Sequence, residues 1–375
     1  VADVYFHRGK KILDAAGINP YVYGEITASS VPEGNFAIFS GLEEVLRLLE
    51  GRDVTVRSIP EGSLFYPGEP VLTIEGRYND FGIYETAFLG FVCFSSGVAT
   101  KAARIKRLVL DKPVYSFGAR RTHPSVAPAV ERAAFIGGCD GVATVAGAEQ
   151  SGLKPVGTMS HAFIICVGSP KEAYTLFDTY IEDGVPRVAL IDTFEDEKFG
   201  AITAAETLKE RLNAVRLDTP GSRRGNFRRI IEEVKWELKI RGYENVKIFV
   251  SGGLDEDSII ELRDIVDAFG VGTSISNARV VDFSFDIVER DGEPVSKRGK
   301  KSGRKQLFEC PECLSHLIEK DSMEIPLCPK CGTKTIPMLK THIEGGKRVV
   351  PEEPPSLIRE RTIAYLKKIN ELEAE

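Results

Sequence analysis

Between residues 113 and 286 the chain alternates short apolar runs with stretches of helical period. That alternation constrains the fold more than any other feature. The runs are PVYSF (113–117), GVATVA (141–146), PVGTMS (155–160), RVALID (187–192), AVRLD (214–218), VKIFVSGG (246–253), AFGVGTS (268–274) and VVDFSFD (280–286). Between several of them lie VERAAFIGG, SPKEAYTLFDTYIEDG, AITAAETLKERL, NFRRIIEEVKWELKIRG and DEDSIIELRDIVDA. Strands separated by a helix pair in parallel, with the helix as the crossover. Eight runs over about 170 residues suit a compact or irregular (β/α)8 barrel. Periodicity alone does not separate a closed barrel from an open doubly wound sheet. The polar residues that end successive runs favour the barrel.

The flanks differ in character. LEEVLRLL (42–49) reads as an amphipathic helix, DVTVRSIPEG and LFYPGEPVLTIEG as short strands with turns, and residues 84–110 as a helix ending in KAARIKRLVL. After residue 290 come a basic stretch, a cysteine module, a β-like tail and a final helix, PSLIRERTIAYLKKINELEAE. At 375 residues, two or three domains are expected. A net charge of −6 argues against general coating of DNA or anionic membrane. No run approaches eighteen uninterrupted apolar residues, and VADVYFHRGKK lacks a signal-peptide hydrophobic block, so a cytoplasmic protein without a membrane span is expected. Four of the seven cysteines form two close pairs, which suits free thiols better than a disulfide framework.

Those pairs, Cys310/Cys313 and Cys328/Cys331, form C-x2-C-x14-C-x2-C. Four thiolates on two tight turns make a closed tetrahedral Zn²⁺ site, structural because no coordination position stays open. The segment has too few apolar residues to fold without the metal.

Other signals sit where apolar runs end. Asp218 follows Arg216 in RLDTPG; Ser251, Gly252 and Gly253 end the next run; Gly272 and Thr273 end the one after. Successive glycine-rich strand ends leave backbone N–H groups for a phosphate, although each alone suits an ordinary βα turn. His161 lies just past GTMS. In YSFGARRTHP the adjacent Arg120 and Arg121, with Thr122, follow Phe117. Paired guanidinium groups repel unless solvated or bridged by an anion, so this is either a wet strand end or an anion site. Residues 296–305 carry six Lys or Arg, either a solvated linker or a cationic flap over a polyanion.

In order, SFGARRTHP, GVATVAG, GTMSH, RLDTPG, SGGLDE and GVGTS resemble the nicotinate phosphoribosyltransferases. DVYF resembles that family's Asp-x-Tyr opening, SKRGKKSGRKQ its lysine-rich loop, and the cysteine module the zinc knuckle of archaeal-type members. The resemblance implies the type II phosphoribosyltransferase fold. An N-terminal α/β domain (1–111) would pack on an irregular α/β barrel carrying the active site (112–290). A basic loop (291–305), a four-cysteine zinc knuckle (306–340) and a tail and helix packing on the N-terminal domain (341–375) would follow. The implied reaction joins nicotinate to 5-phosphoribosyl 1-pyrophosphate (PRPP), giving nicotinate mononucleotide and pyrophosphate, in a homodimer or higher homo-oligomer with shared active sites.

By the same resemblance, Asp218 faces the ribose, with Arg216 beside it. Phe117 and the partner subunit's Tyr5 sandwich the pyridine ring, with Arg120 and Thr144 next to it. Arg121, Thr122, Ser251, Gly252, Gly253, Gly272, Thr273, Lys297 and Lys301 hold phosphate and pyrophosphate, with Mg²⁺. His161 resembles the histidine that ATP phosphorylates in nicotinate-specific relatives. Nicotinamide-using relatives carry aspartate at the position of Ala143, which would repel a carboxylate. Two departures stand out: TPGSRRG, where many relatives have a Ser/Thr-Gly-Asp run, and SGG, where others have Ser-Asn-Asp. The first leaves no second acid after Asp218. Rival expectations are a quinolinate or nicotinamide enzyme of the same fold and, from another class, a zinc-ribbon nucleic-acid binder using the basic stretch.

Overall fold

In Phe283–Arg290, Phe283 and Phe285 alternate with Ser284 and Asp286. A strand with one apolar and one polar face belongs in an antiparallel sheet rather than a doubly covered parallel one. It pairs antiparallel with Tyr21–Ala28 in a seven-stranded sheet. The order is Glu293–Pro294, Phe283–Arg290, Tyr21–Ala28, Pro70–Arg77, Val54–Ser58, Lys340–Glu344, Lys347–Arg348. The computed structural model describes residues 1–321 and 324–374. Two compact units divide the chain, Val1–Ala103 with Arg279–Glu375, and Arg104–Ala278.

In the first unit, Val22, Ile26, Val56, Leu72 and Ile74 of the sheet pack with Leu46 and Leu49 of the helix Leu42–Leu49. Phe88 and Val92, from the helix Glu85–Leu108, complete this core. Tyr78–Leu108 is long and apolar enough to cross a membrane by length and composition, and the buried Phe88 and Val92 account for part of that apolarity. The C-terminal helix Pro355–Ala374 buries Ile358, Thr362, Leu366 and Ile369, one face at helical spacing. Thr362 Oγ1 donates to the Gly62 carbonyl at 3.1 Å and Arg361 to that of Glu61. A three-stranded sheet, with Lys305–Glu309 between His316–Lys320 and Ile336–Pro337, carries the cysteines.

The second unit holds six parallel strands in the order Gly141–Val142, Val114–Ser116, Ala268–Val271, Lys247–Ser251, Leu212–Leu217, Arg187–Leu190. Crossover helices include Glu197–Leu208, Phe227–Ile240 and Glu256–Leu262, capped by the side chains of Asp196, Asn226 and Asp255. This is a half-barrel rather than the eight-stranded barrel expected. PVGTMS forms no strand, although the Val156 N–H donates to the Val142 carbonyl at 2.8 Å. VVDFSFD joins the antiparallel sheet for the reason given above. GVATVA yields only Gly141–Val142, because Thr144 caps the helix Val145–Ser151. The expected barrel limits of 112–290 therefore shift to Arg104–Ala278. The basic loop, cysteine module and tail all return to the first unit.

Candidate active site

Parallel strands present their carboxyl ends along one edge, where open α/β sheets bind ligands. Here that edge carries Asp192, Asp218 and Ser251 from three adjacent strands. Arg216 ties them together. Its Nε donates to Ser251 Oγ at 2.9 Å, its Nη1 to Thr158 Oγ1 at 2.7 Å, and its Nη2 lies 3.4 Å from Asp218 Oδ2. Ser251 Oγ donates in turn to Asp218 Oδ1 at 2.8 Å. Burial pulls the Arg216 guanidinium below its ordinary pKa, and Arg120 adds to that, while Asp218 and Asp192 oppose it. Serine, arginine and aspartate thus fix the Asp218 carboxylate within a closed ring of bonds.

His161 opens the helix His161–Val167, whose N-cap Ser160 accepts from the Phe163 N–H at 3.2 Å. Its Nδ1 lies 3.0 Å from Thr193 Oγ1, and its Nε2 lies 3.6 Å from Asp218 Oδ2 and 3.9 Å from Asp192 Oδ1. Asp192 is not among the residues expected from sequence. Its Oδ2 accepts from the Asp218 N–H at 2.6 Å and from Thr219 Oγ1 at 3.3 Å. Burial raises its pKa, with Asp218 adding repulsion. Asp192 thus brings a second carboxylate beside Asp218 from a neighbouring strand end. Arg224 donates to the carbonyls of Thr219 and Gly252, so its guanidinium braces two loops.

Phe117 lies 5.5 Å from the Arg216 guanidinium and stacks 6.2 Å from Tyr115. It rests on Gly270, where a Cβ would meet the ring at 2.6 Å. Gly252 adopts φ +86°, and a Cβ there would sit 2.9 Å from Asp218 Oδ1. The N–H groups of Gly252, Gly253 and Thr273 lie outside the strand ladders. Arg120 and Arg121 are exposed in the 3₁₀ turn Ala119–Arg121, with Thr122 Oγ1 donating back to the Ala119 carbonyl. The Thr144 hydroxyl is engaged elsewhere, donating to the buried Glu131 and accepting from the Gly147 N–H at 3.0 Å. Thr144 is a cap rather than a free ligand-binding hydroxyl.

Gly272 precedes the short helix Thr273–Ser276 in the second unit, and the other candidates belong to the first unit. Tyr5 is exposed on the helix Val4–Ala15. The Lys297 Nζ lies 2.7 Å from Asp286 Oδ1, while the side chain of Lys301 is exposed. Nearby Glu85 titrates unusually. Burial, followed by repulsion from Asp286, pushes it up to about 7 against the pull of Lys297, with Asp3 adding further repulsion. A raised carboxyl contributes stability that is fully present below its unfolded pKa and is lost as pH rises through about 7. Glu85→Gln should therefore melt above the native chain at about pH 8, with the difference shrinking as pH falls and vanishing below about pH 4; thermal unfolding across that range is the check.

The four paired cysteines come together. Their sulfurs lie within 4.8 Å of one another, with Cys310–Cys331 at 3.4 Å, Cys313–Cys328 at 3.6 Å and Cys313–Cys331 at 3.8 Å. A tetrahedron of Zn–S bonds of about 2.3 Å requires about 3.8 Å between sulfurs. The two pairs sit in equivalent turns. The N–H of Leu314 donates to the Cys310 carbonyl at 3.0 Å and that of Gly332 to the Cys328 carbonyl at 2.8 Å, with φ +52° and +75°. The donor set fits zinc. Beside it, the buried His316 bridges Glu69 at 2.9 Å and Glu309 at 3.1 Å, and Tyr365 OH donates to the same Glu309 oxygen at 2.7 Å. This network binds the cysteine sheet to the rest of its unit.

A profile of the quinolinate phosphoribosyl transferase C-terminal domain matches residues 98–286, and one of the N-terminal domain matches residues 3–96. The chain belongs to the quinolinate phosphoribosyltransferase family. Within that family, a nicotinate-nucleotide pyrophosphorylase from Pyrococcus furiosus superposes with a TM-score of 0.96 at 55% identity, covering 99% of this chain and 95% of that one. Nicotinate phosphoribosyltransferase pncB2 of Mycobacterium tuberculosis is 31% identical over 82% of this chain and 70% of its own length. For pncB1 of the same organism the values are 34%, 66% and 57%, so the chain spans little over half of that relative. Human nicotinic acid phosphoribosyltransferase, at 19% identity and a TM-score of 0.79, shares the fold.

Proposed function

We propose that this family member transfers the 5-phosphoribosyl group of PRPP to the ring nitrogen of nicotinate, in NAD salvage. The C1–oxygen bond to pyrophosphate breaks, pyrophosphate leaves with the electron pair, and the pyridine nitrogen lone pair forms the new C1–N bond. Positive charge develops on the ribose meanwhile. The observation that carries this reading is the Asp218 carboxylate, held by Ser251 and Arg216 among glycine-rich strand ends. A fixed carboxylate needs no reorganisation to stabilise that cation. Gly252, Gly253 and Thr273 offer N–H groups to the 5′-phosphate. Phe117 supplies a flat apolar face, and Arg120 and Arg121 remain exposed for the ring carboxylate and phosphates. Mg²⁺ would arrive with the pyrophosphate group of PRPP.

ATP is proposed as a co-substrate with His161 as phosphoryl acceptor. The Thr193 bond fixes that ring's orientation beside Asp218. A homodimer in which Tyr5 completes the partner subunit's ring site is supported by the helix Val4–Ala15, none of whose residues is buried within this chain.

Nicotinate is favoured by the names of the curated relatives and by Ala143, since an aspartate there would repel the carboxylate. Ala143→Asp is expected to lower kcat/KM for nicotinate relative to nicotinamide by about tenfold or more, measured with both rings under competition. An unchanged ratio would remove Ala143 from the selectivity argument. Carboxyl-labelled pyridines test the substrate itself. Label retained in a mononucleotide made from nicotinate supports the proposal, whereas labelled CO₂ released from quinolinate, with nicotinate inert, would replace it.

A further inference from the structure

Lysines of the basic loop, read in sequence as a solvated linker or a flap over a polyanion, dock on a polar face of the antiparallel sheet. In its register Glu25 stands opposite Asp286 and Thr27 opposite Ser284, so all four side chains share one face. Lys305 Nζ donates to both Glu25 oxygens at 3.0 Å. Lys300 Nζ lies 2.8 Å from Asp286 Oδ2, 3.1 Å from Ser284 Oγ and 3.2 Å from Thr27 Oγ1. Lys297 Nζ reaches the other Asp286 oxygen at 2.7 Å. The Asp286 side chain is 2% exposed, that of Lys300 27% and that of Lys297 63%. An ammonium has three donors. Lys300 has all three engaged, whereas Lys297 directs one to Asp286 and is otherwise open to solvent.

We propose that Asp286 is the positioning residue of the basic loop: with Lys300 as its pin it fixes the loop on the sheet and keeps the exposed Lys297 ammonium held in place for a pyrophosphate anion. This rests on the function proposed above. Burial alone would raise the Asp286 pKa, but the bonds from Lys297 and Lys300 outweigh it and hold the carboxyl below its usual range. It therefore stays ionised under the docked loop. Two ammonium groups share one carboxylate, so the exposed Lys297 is only partly neutralised, with Glu85, which titrates at about 7, also acting on it. A cation already held in place loses less freedom when an anion binds. Lys297 and Lys300, which look interchangeable in sequence, thus have different roles.

The test uses the full chain with Asp286→Asn, Lys300→Met and Lys297→Met. Asp286→Asn and Lys300→Met should each raise KM for PRPP about tenfold, with kcat within about twofold and KM for the pyridine unchanged. Calorimetry should show affinity for pyrophosphate itself falling by a similar factor. Trypsin cleavage after Arg298 and Lys301, located by mass spectrometry, should accelerate about tenfold in both, because local opening governs cleavage. Lys297→Met should weaken PRPP and pyrophosphate but leave the cleavage rate near that of the native chain. Native cleavage and pyrophosphate affinity in Asp286→Asn would overturn the proposal, as would equal acceleration of cleavage by Lys297→Met and Lys300→Met. If Asp286→Asn unfolds, Lys300→Met decides, since it leaves Asp286 paired with Lys297. If the native enzyme turns over no pyridine, the functional reading fails, and cleavage rates with pyrophosphate affinity still decide the loop's anchoring.

Discussion

Asp218→Asn is expected to lower kcat by about two to three orders of magnitude while changing KM for PRPP little, the pattern for an interaction made chiefly in the transition state. The substitution is isosteric. Ser251 still has an acceptor at 218 and Arg216 keeps its bonds to Ser251 and Thr158, so these contacts survive, while the negative charge and its pairing with the Arg216 Nη2 are removed. The backbone N–H of residue 218 still donates to Asp192. Steady-state kinetics with thermal unfolding as a control separate the outcomes. A parallel loss of stability and activity would mean that Asp218 holds the fold rather than the reaction. Near-native turnover would remove it from the chemistry altogether.

Cys328→Ser is expected to abolish metal retention and unfold the cysteine sheet. Cys328 is buried, and its sulfur belongs to a cluster whose spacing matches a closed four-thiolate site. Structural zinc supplies about 10 kcal/mol or more of apparent binding free energy to small motifs, comparable to the whole stability of a typical domain. Around the second cysteine pair little apolar burial replaces it, since Leu327, Ile325 and Ile336 are exposed, whereas Leu307 and Phe308 of the central strand are buried. Elemental analysis should give one zinc per native chain and none in the variant. Chelator should lower the melting temperature of the native protein and leave that of Cys328→Ser unchanged. Loss of turnover on chelation with an unaltered melting temperature would contradict a structural role.

Much of this site is legible in the sequence because polar residues ending an apolar run stand out. His161, Arg216, Asp218, Ser251 and Gly252 all announce themselves that way, and the sheet gathers them. Asp192 ends RVALID just as visibly, yet its meaning depends on strand order. Arg187–Leu190 pairs directly with Leu212–Leu217 and sets Asp192 against Asp218. Thr144 misleads for a related reason. The buried carboxylate that takes its hydroxyl, Glu131, lies thirteen residues earlier on the helix Ala127–Ile136, and a sequence does not display that contact. The eighth expected strand falls in the other sheet, and its alternation, apolar Phe283 and Phe285 against polar Ser284 and Asp286, already marks a half-covered antiparallel sheet. Lys300 resembles one more solvated cation because its acceptors meet only where Phe283–Arg290, which carries Ser284 and Asp286, pairs with Tyr21–Ala28, which carries Thr27, 273 residues away.

Pyrophosphate release from PRPP and Mg²⁺ with nicotinate, nicotinamide or quinolinate, each with and without ATP, decides whether this chain is a nicotinate enzyme. Release is expected with nicotinate alone among the three, stimulated by ATP, with His161→Ala losing the stimulation. Release with quinolinate alone, or with none of the three, would contradict it.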